Sequence, residues 1–325
     1  MTKKDLSVPP GPIILKVDIL YSGRRLDKFV AHRLPRWSRT LIQNKIHKGD
    51  ILKNNKPAKP SDTLQAGDEI TIKADVQSID ISQIPLHILY EDSDFVAVDK
   101  EPNMIVHPAG KEIFGTVINL IHFHYKKTGV DINPLLCHRL DRETSGVLIV
   151  SKNLEFRRFI QTEFEEGRVR KKYLSIVEGI VIQDSGTIEA PLRKAKTTPA
   201  EKPKMETSST SGQYSVTQFS VLERFEPSDI LENGATFLAA MPKTGRTHQI
   251  RAHLAHFGYP VLCDKTYGTI HELSIDGEIV LSRQALHSHE IRFNAPNVGE
   301  ISVTSPLHAD MLNTLNKLRK QLLTS

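Results

Sequence analysis

From Arg25 onward, Leu26, Phe29, Val30 and Leu34 recur at three- and four-residue spacing, the period of one buried helix face, and Pro35 closes the segment. Ser38 offers an N-cap to a second helix that turns Leu41, Ile42 and Ile46 inward, and Gly49 supplies the left-handed position past its end. The period then shortens. Residues 51–53 read as a strand, Asn54-Asn55 as a tight turn tolerant of positive φ, and Gly67-Asp68 as the lead into a second strand over 69–73. The pattern predicts two short helices with a β-hairpin, the lysines and arginines left on the outer side. Residues 1–12, polar and rich in proline, read as an unordered arm.

A polar connector at 75–85 precedes a second domain. Within it Phe95-Val96-Ala97-Val98 and residues 146–151 read as buried strands, and a helix runs through Phe156, Phe159, Ile160 and Phe164 to Gly167. Thr247 is a candidate N-cap for a helix that buries Ile250, Leu254 and Phe257 and ends at Gly258. Residues 194–213, rich in Lys, Pro, Ser and Thr, read as a mobile loop. Strands and helices alternate irregularly, with no solenoid repeat.

Length agrees with the two-part reading: 325 residues exceed what one core fills, since cores stop growing at roughly 250–300. Hydrophobic residues at 39% and charged residues at 25% are globular values. The longest early apolar run, Ile13-Ile14-Leu15, is far short of a secretory core of about 7–15 residues, and no later run approaches the ~20 that span a bilayer. Two cysteines, Cys137 and Cys263, make neither a disulfide framework nor a cysteine-based zinc site, and the expected location is cytoplasmic. The net charge of +5 is unevenly placed: residues 24–60 hold eleven Lys or Arg against Asp27 and Asp50. Such a basic lobe on a near-neutral remainder is suited to holding phosphates.

Several chemistries lose their usual sites. Neither a Gly-x-x-x-x-Gly-Lys loop nor a Gly-x-Gly-x-x-Gly turn occurs, so no nucleotide or dinucleotide cofactor is called for. His122 with His124 and His287 with His289 would each face one side of a strand, but neither pair has a carboxylate or cysteine cluster to complete a metal site. Cys137 reads as a buried structural thiol rather than a nucleophile beside His138. The densest polar segment is His138-Arg-Leu-Asp-Arg-Glu-Thr-Ser-Gly146, which runs straight into the apolar Val147-Leu-Ile-Val150. A loop on a rigid strand can hold a catalytic carboxylate accurately, and Arg139 and Arg142 flank Asp141 with charge that keeps it ionised. An ordinary salt-bridged turn would look the same. In the second dense segment, Lys243 to Leu254, the cations Lys243, Arg246 and Arg251 crowd a helix N-terminus, a conflict that a bound phosphate relieves. Tyr173 follows the basic run Arg168-Val-Arg-Lys-Lys172.

His138-Arg-Leu-Asp-Arg-Glu-Thr-Ser-Gly-Val-Leu-Ile-Val-Ser-Lys152 resembles the signature of the RluA-type pseudouridine synthases. Further blocks of that family follow in order: Leu89-Tyr-Glu-Asp, Val106-His-Pro108, Lys171-Lys-Tyr173, Thr244-Gly-Arg-Thr-His-Gln-Ile-Arg251, Gly258-Tyr-Pro260, Asp264-Lys-Thr-Tyr-Gly268 and Leu286-His287. The basic lobe, from Arg24-Arg-Leu-Asp-Lys through Ser38-Arg39 to Gly67-Asp68, resembles the RNA-binding module named after ribosomal protein S-four. The resemblance implies an α+β chain: a pseudouridine synthase fold with a central mixed or antiparallel β-sheet flanked by helices and loops, preceded by a small α/β RNA-binding domain. The expected organisation is a flexible arm over 1–15, the S-four-like domain over 16–75, a linker over 76–85 and the catalytic domain over 86–325.

The same resemblance implies that Asp141 is the catalytic aspartate, Arg251 its ionic partner, Tyr173 the ring packed against the target base, and Arg139 the side chain that helps fill the vacated place. Arg142, Lys243, Arg246 and His248 complete the expected substrate contacts. Arg24, Arg25, Lys28, Arg36, Arg39, Lys45 and Lys48 are the expected RNA contacts of the small lobe. The expected partner is structured RNA, ribosomal in preference to transfer RNA, modified by a monomer with no cofactor, no metal and no membrane attachment. The sequence departs from the family at Glu101-Pro102-Asn103, where Pro-Ala-Gly is common, and at Asn55, where the small module has Gly; Asn tolerates the left-handed conformation, so both turns are expected to survive. Residues 194–212 follow no family pattern. Two other readings compete: a glycoside-type hydrolase, which needs a second acid and has only Glu143 nearby, and an RNA-binding assembly factor without catalysis.

Overall fold

The helix-period segment after Arg25 folds as Leu26–Arg33, and Ser38 caps Arg39–His47 by accepting the Leu41 amide at 3.2 Å. Both helices pack Leu26, Phe29, Val30, Ile42 and Ile46 onto Ile51, Leu64, Ile70 and Ile72. The computed structural model describes residues 5–9, 11–34, 37–73, 80–108, 114–196, 204–296 and 298–322. It divides into two compact units, Met1–Gln83 with His107–Asn119, and Ile84–Val106 with Leu120–Ser325. Pro35, Arg36, most of the connector and residues 197–203 lie outside the described residues.

The first unit carries a four-stranded antiparallel sheet in the order Ile13–Lys16, Glu69–Ile72, Ile51–Lys53, Lys56–Pro57. Asn54 and Asn55 take φ of 51° and 59°, the left-handed turn expected of them. The arm is shorter than expected. Ile13–Lys16 pairs with Glu69–Ile72, because that strand's open edge offers backbone partners to a segment whose side chains stay largely exposed. Ser7 is buried with its hydroxyl on Asp5, and the Leu6 carbonyl accepts from Asn119 Nδ2 at 2.8 Å. Residues His107–Asn119 thus group with this unit and not with the rest of the catalytic domain expected over 86–325.

In the second unit a ten-stranded sheet follows the order Ser185–Glu189, Val216–Phe225, Ala235–Pro242, Arg170–Glu178, Leu286–Ala295, Ser145–Ser151, Phe95–Lys100, His87–Glu91. Gly299–Thr304 pairs with Leu286–Ala295, and Leu135–Leu136 with Ser145–Ser151. The sheet is antiparallel except where Leu286–Ala295 runs parallel to Ser145–Ser151, with His287 opposite Ser145 and Ser288 opposite Gly146. All seven residues of Ser145–Ser151 are buried, as its unbroken apolar run implies. Helix Leu154–Glu165, capped by Asn153, lays Phe156 and Ile160 on Phe95, Ile149 and Phe293, with Phe95 and Phe156 stacked at 4.8 Å.

Three further expectations change. Residues 194–213 are no bare loop: Leu192–Lys194 pairs with Met205–Thr207, and Leu192 and Gln213 exchange both backbone hydrogen bonds. Its polar composition hid a short strand that pairs through the backbone and is tied further by side chains, Arg193 on Glu206 and Thr207 on His256. His122 and His124 lie on helix Val117–Lys127, where residues two apart point to different sides. Thr247 does not cap helix Gln249–His256. His248 occupies the N-cap at φ 52°, and the Gln249 side chain accepts from the Arg246 amide at 3.0 Å and the Thr244 hydroxyl at 2.7 Å.

Candidate active site

The polar loop after Leu135–Leu136 folds back on the strand it precedes. His138 Nε2 accepts the Ile149 amide at 3.0 Å, and burial holds its imidazole down to about 3. Asp141 closes a turn by accepting the Thr144 amide through its carbonyl. Two buried cations clamp the loop from below through backbone oxygens. Lys100 Nζ donates to the carbonyls of Arg142, Glu101 and Met104 at 2.7–2.9 Å, and Arg283 Nη1 donates to that of Glu143 at 2.9 Å. Burial, with Arg283 nearby, lowers the Lys100 ammonium to about 7. Asn103, at φ 62°, makes the turn that Lys100 grips.

Helix Gln249–His256 brings the second dense segment to this loop. Arg251 is 6% exposed and donates from Nη1 to Asp141 Oδ2 at 2.9 Å. Its Nε and Nη2 take both oxygens of the fully buried Asp264 at 2.6 and 2.7 Å. Asp264 is fixed in turn by the amides of Thr266 and Tyr267, and the Tyr267 ring lies 5.2 Å from the Arg251 guanidinium. Asp141 Oδ1 has no hydrogen-bond partner among the described residues. One oxygen is anchored and the other is available.

Tyr173 sits on Arg170–Glu178, opposite Ser288 and Ala240 on the flanking strands. Burial pushes its phenol up to about 12, so the ring presents a neutral face. Beside it Lys171 donates to the Thr244 carbonyl at 2.9 Å over the Phe164 ring, and burial lowers its ammonium to about 8. Asp141, Tyr173, Arg251, Arg139, Lys243, Arg246 and His248 all line one cleft of about 440 Å³. Arg139, Lys243 and Arg246 are exposed on its wall. Arg142 and Glu143 do not line it, so the one acid that the sequence offered a hydrolase lies outside the cleft; the acid that shares the lining with Asp141 is Glu165.

The basic lobe divides in two. Arg24, Lys28 and Lys48 are exposed, whereas Arg25 and Arg39 both close on Asp27, which is 0% exposed. Burial alone would raise that carboxyl, and Arg25, Gln43 and Arg39 hold it far below the ordinary range instead. Lys45 is not on the outer side: at 9% exposure it reaches Asp50 at 3.4 Å and lies 5.6 Å from the Trp37 ring. Its place next to Ile46 on the inward face explains the burial.

Sequence reasoning left out Asp264, Tyr267, Lys100 and Arg283. The first two stand in a block whose resemblance to the family assigns them no role, and nothing local distinguishes Arg283.

Residues 94–256 match the model of the RNA pseudouridylate synthase family, and residues 24–70 match that of the S4 domain. The chain is 34% identical over 305 residues to an uncharacterized RNA pseudouridine synthase, YlyB, of Bacillus subtilis, covering 92% of this chain and 95% of the relative. It is 31% identical over 310 residues to the ribosomal large subunit pseudouridine synthase D of Xanthomonas campestris, covering 92% and 90%. The structure of human RNA pseudouridylate synthase domain containing 1 shares the fold with a TM-score of 0.56 at 24% identity, over 75% of this chain and 98% of that one. The chain belongs to the RNA pseudouridylate synthase family, with an S4 domain ahead of the catalytic part. It is an isomerase that converts uridine in RNA to pseudouridine. Among the described residues no helix is long and apolar enough to cross a membrane.

Proposed function

We propose that Asp141 carries the chemistry, that Arg251 holds and orients it, and that the Tyr173 ring packs against a uracil taken out of its stack. The reaction breaks the bond from nitrogen 1 of uracil to the anomeric carbon and forms one from carbon 5. Carbon 5 gives up its proton and nitrogen 1 gains one, so atoms balance without oxidant or water. What this requires of the protein is a carboxylate with a free oxygen, a flat apolar wall and cations for the phosphates. The observation that carries the reading is Asp141, with Oδ2 on Arg251 at 2.9 Å and Oδ1 unengaged among the described residues, in one cleft with Tyr173.

Arg139 fills the place the base leaves, and Lys243 and Arg246 hold the surrounding strand, while His248 faces the site from the same cleft; the exposed Arg142 meets phosphate outside it. Arg24, Lys28 and Lys48 supply further phosphate contacts. Ribosomal RNA is the substrate this reading favours, in keeping with the name of the Xanthomonas relative. The enzyme acts as a cytoplasmic monomer with neither metal nor cofactor, its RNA-binding domain ahead of the catalytic part.

The test is Asp141→Asn, which removes the charge with little change of shape. Pseudouridine formation in ribosomal RNA is expected to vanish while RNA affinity stays within about fivefold, because the phosphate contacts remain. Product from the purified variant would remove Asp141 from the role, and wild-type product in transfer RNA alone would move the substrate.

A further inference from the structure

His248 stands where the chain enters helix Gln249–His256, at φ 52°, a region that non-glycine residues seldom occupy. Its side chain caps nothing. The ring instead spans two groups: Nδ1 lies 3.2 Å from the Tyr267 hydroxyl, and Nε2 lies 3.9 Å from Asp141 Oδ2.

The Tyr267 hydroxyl has one hydrogen to give. It accepts the Met205 amide at 2.8 Å, and burial pushes the phenol up to about 12, so that hydrogen stays on the oxygen. Among the described residues the Tyr267 oxygen has no acceptor other than His248 Nδ1. With the phenol hydrogen turned to Nδ1, the imidazole receives there and carries its own hydrogen at Nε2, on the side of Asp141. Burial lowers His248 from its ordinary value, which keeps the ring neutral.

Asp141 has a use for that hydrogen. Its partner Arg251 turns two of its three nitrogens to Asp264, so two carboxylates share one guanidinium, and among the described residues the Asp141 side chain holds a single hydrogen bond. A neutral N–H beside Oδ2 adds a second positive end without adding net charge. An imidazolium would instead compete with Arg251 for the carboxylate.

We propose that His248 is a positioning residue for Asp141, fixed as the Nε2–H tautomer by Tyr267, whose hydroxyl is itself directed by the Met205 amide. Met205 begins the strand that pairs with Leu192–Lys194, so two hydrogen bonds run from the segment that follows no family pattern to the His248 ring, whose Nε2 stands 3.9 Å from the carboxylate. The proposal rests on Asp141 as the catalytic group, but the tautomer can be read without turnover.

The experiment uses full-length protein with ¹⁵N-labelled histidine, and ring-nitrogen spectra assigned with His248→Asn. His248 is expected with Nδ1 bare and Nε2 protonated, and Tyr267→Phe, which keeps the ring over Arg251, is expected to mix the two tautomers. A wild-type ring protonated at Nδ1, or spectra unmoved by Tyr267→Phe, would overturn the proposal whatever becomes of Asp141. Kinetics on RNA supply the second readout. Tyr267→Phe is expected to lower kcat about tenfold with little change in KM, the cost of a misplaced reacting group. His248→Gln keeps an N–H at similar reach and is expected to recover part of the kcat that His248→Asn loses. Asn fits the left-handed backbone better than Gln, so the opposite order would show that His248 matters for its backbone alone.

Discussion

Arg251 serves two carboxylates with one guanidinium, and that sharing sets how tightly the site is built. Asp264 is fully buried and depends on it, so removing the arginine strands a charge, which typically costs about 3–5 kcal/mol. Tests of Arg251 therefore need a folding control beside the activity assay. Burial pushes two imidazoles far down: His138 to about 3, and His287 to about 4 with its Nδ1 3.0 Å from the Ser145 hydroxyl. Burial is the largest cause at His287, with His289, Arg283 and His308 adding to it and the Ser305 carbonyl opposing. A folded-state value below the ordinary 6.5 means that the contribution is full above pH 6.5 and is lost as pH falls toward 4. For His287 the loss is on the order of 3 kcal/mol. Urea melts between pH 7.5 and 4.5 are expected to show stability falling more steeply in wild type than in His287→Gln, and parallel slopes would contradict the buried neutral ring. Asp141, Tyr173 and Arg251 were legible through motif resemblance. Asp264 was not given its place, because a carboxylate thirteen residues beyond its arginine shows no pairing until Asp264 and Arg251 meet in the fold.

At the scale of elements, the parallel junction between Ser145–Ser151 and Leu286–Ala295 seats the loop that carries Asp141. Gly146 has φ of 105°, and a Cβ there would lie on the Ser288 backbone, 2.8 Å from its carbonyl carbon and 2.9 Å from its nitrogen. Gly49 also has positive φ, at 75°, but nothing lies within 4 Å of its Cβ position. Gly146→Ala combines strain with a backbone clash and is expected to cost roughly 2–4 kcal/mol, against about 1 for Gly49→Ala. Thermal melts of the two variants decide it, and equal losses would mean that the junction yields. Amphipathic helices such as Leu154–Glu165 were readable because their apolar spacing is local. Ile13–Lys16 and Met205–Thr207 were not, since each is held chiefly by backbone bonds to a partner strand and its side chains carry little periodic signal.

Over the whole molecule, the net charge of the basic lobe overstates its free charge. Arg25 and Arg39 neutralise a buried carboxylate, while Arg24, Lys28 and Lys48 face solvent. The two groups should separate in experiment. Replacing Arg24, Lys28 and Lys48 with Ala is expected to leave the fold intact and to flatten the slope of log affinity against log salt by about 0.7–0.9 for each phosphate no longer neutralised. Arg39→Ala should lower stability, because Asp27 loses a partner where water does not reach. A slope unchanged by the triple substitution would make these three cations a solvated surface. Truncating the lobe is the poorer probe, since His107–Asn119 belongs to the same unit as Met1–Gln83.

The residue order by itself determined what depends on near neighbours: the two helices of the lobe, the asparagine turns, the buried strand after Gly146 and the motifs that identify the reaction. Only the tertiary structure decided which of those polar residues work together. The bond from Arg251 to Asp141 spans 110 positions and the chain from Met205 through Tyr267 to His248 spans 62. Each side chain on these paths looks like an ordinary surface cation, acid or aromatic until burial removes water as its partner. The protein must then supply every hydrogen bond itself, and the fold alone fixes which residue supplies each one.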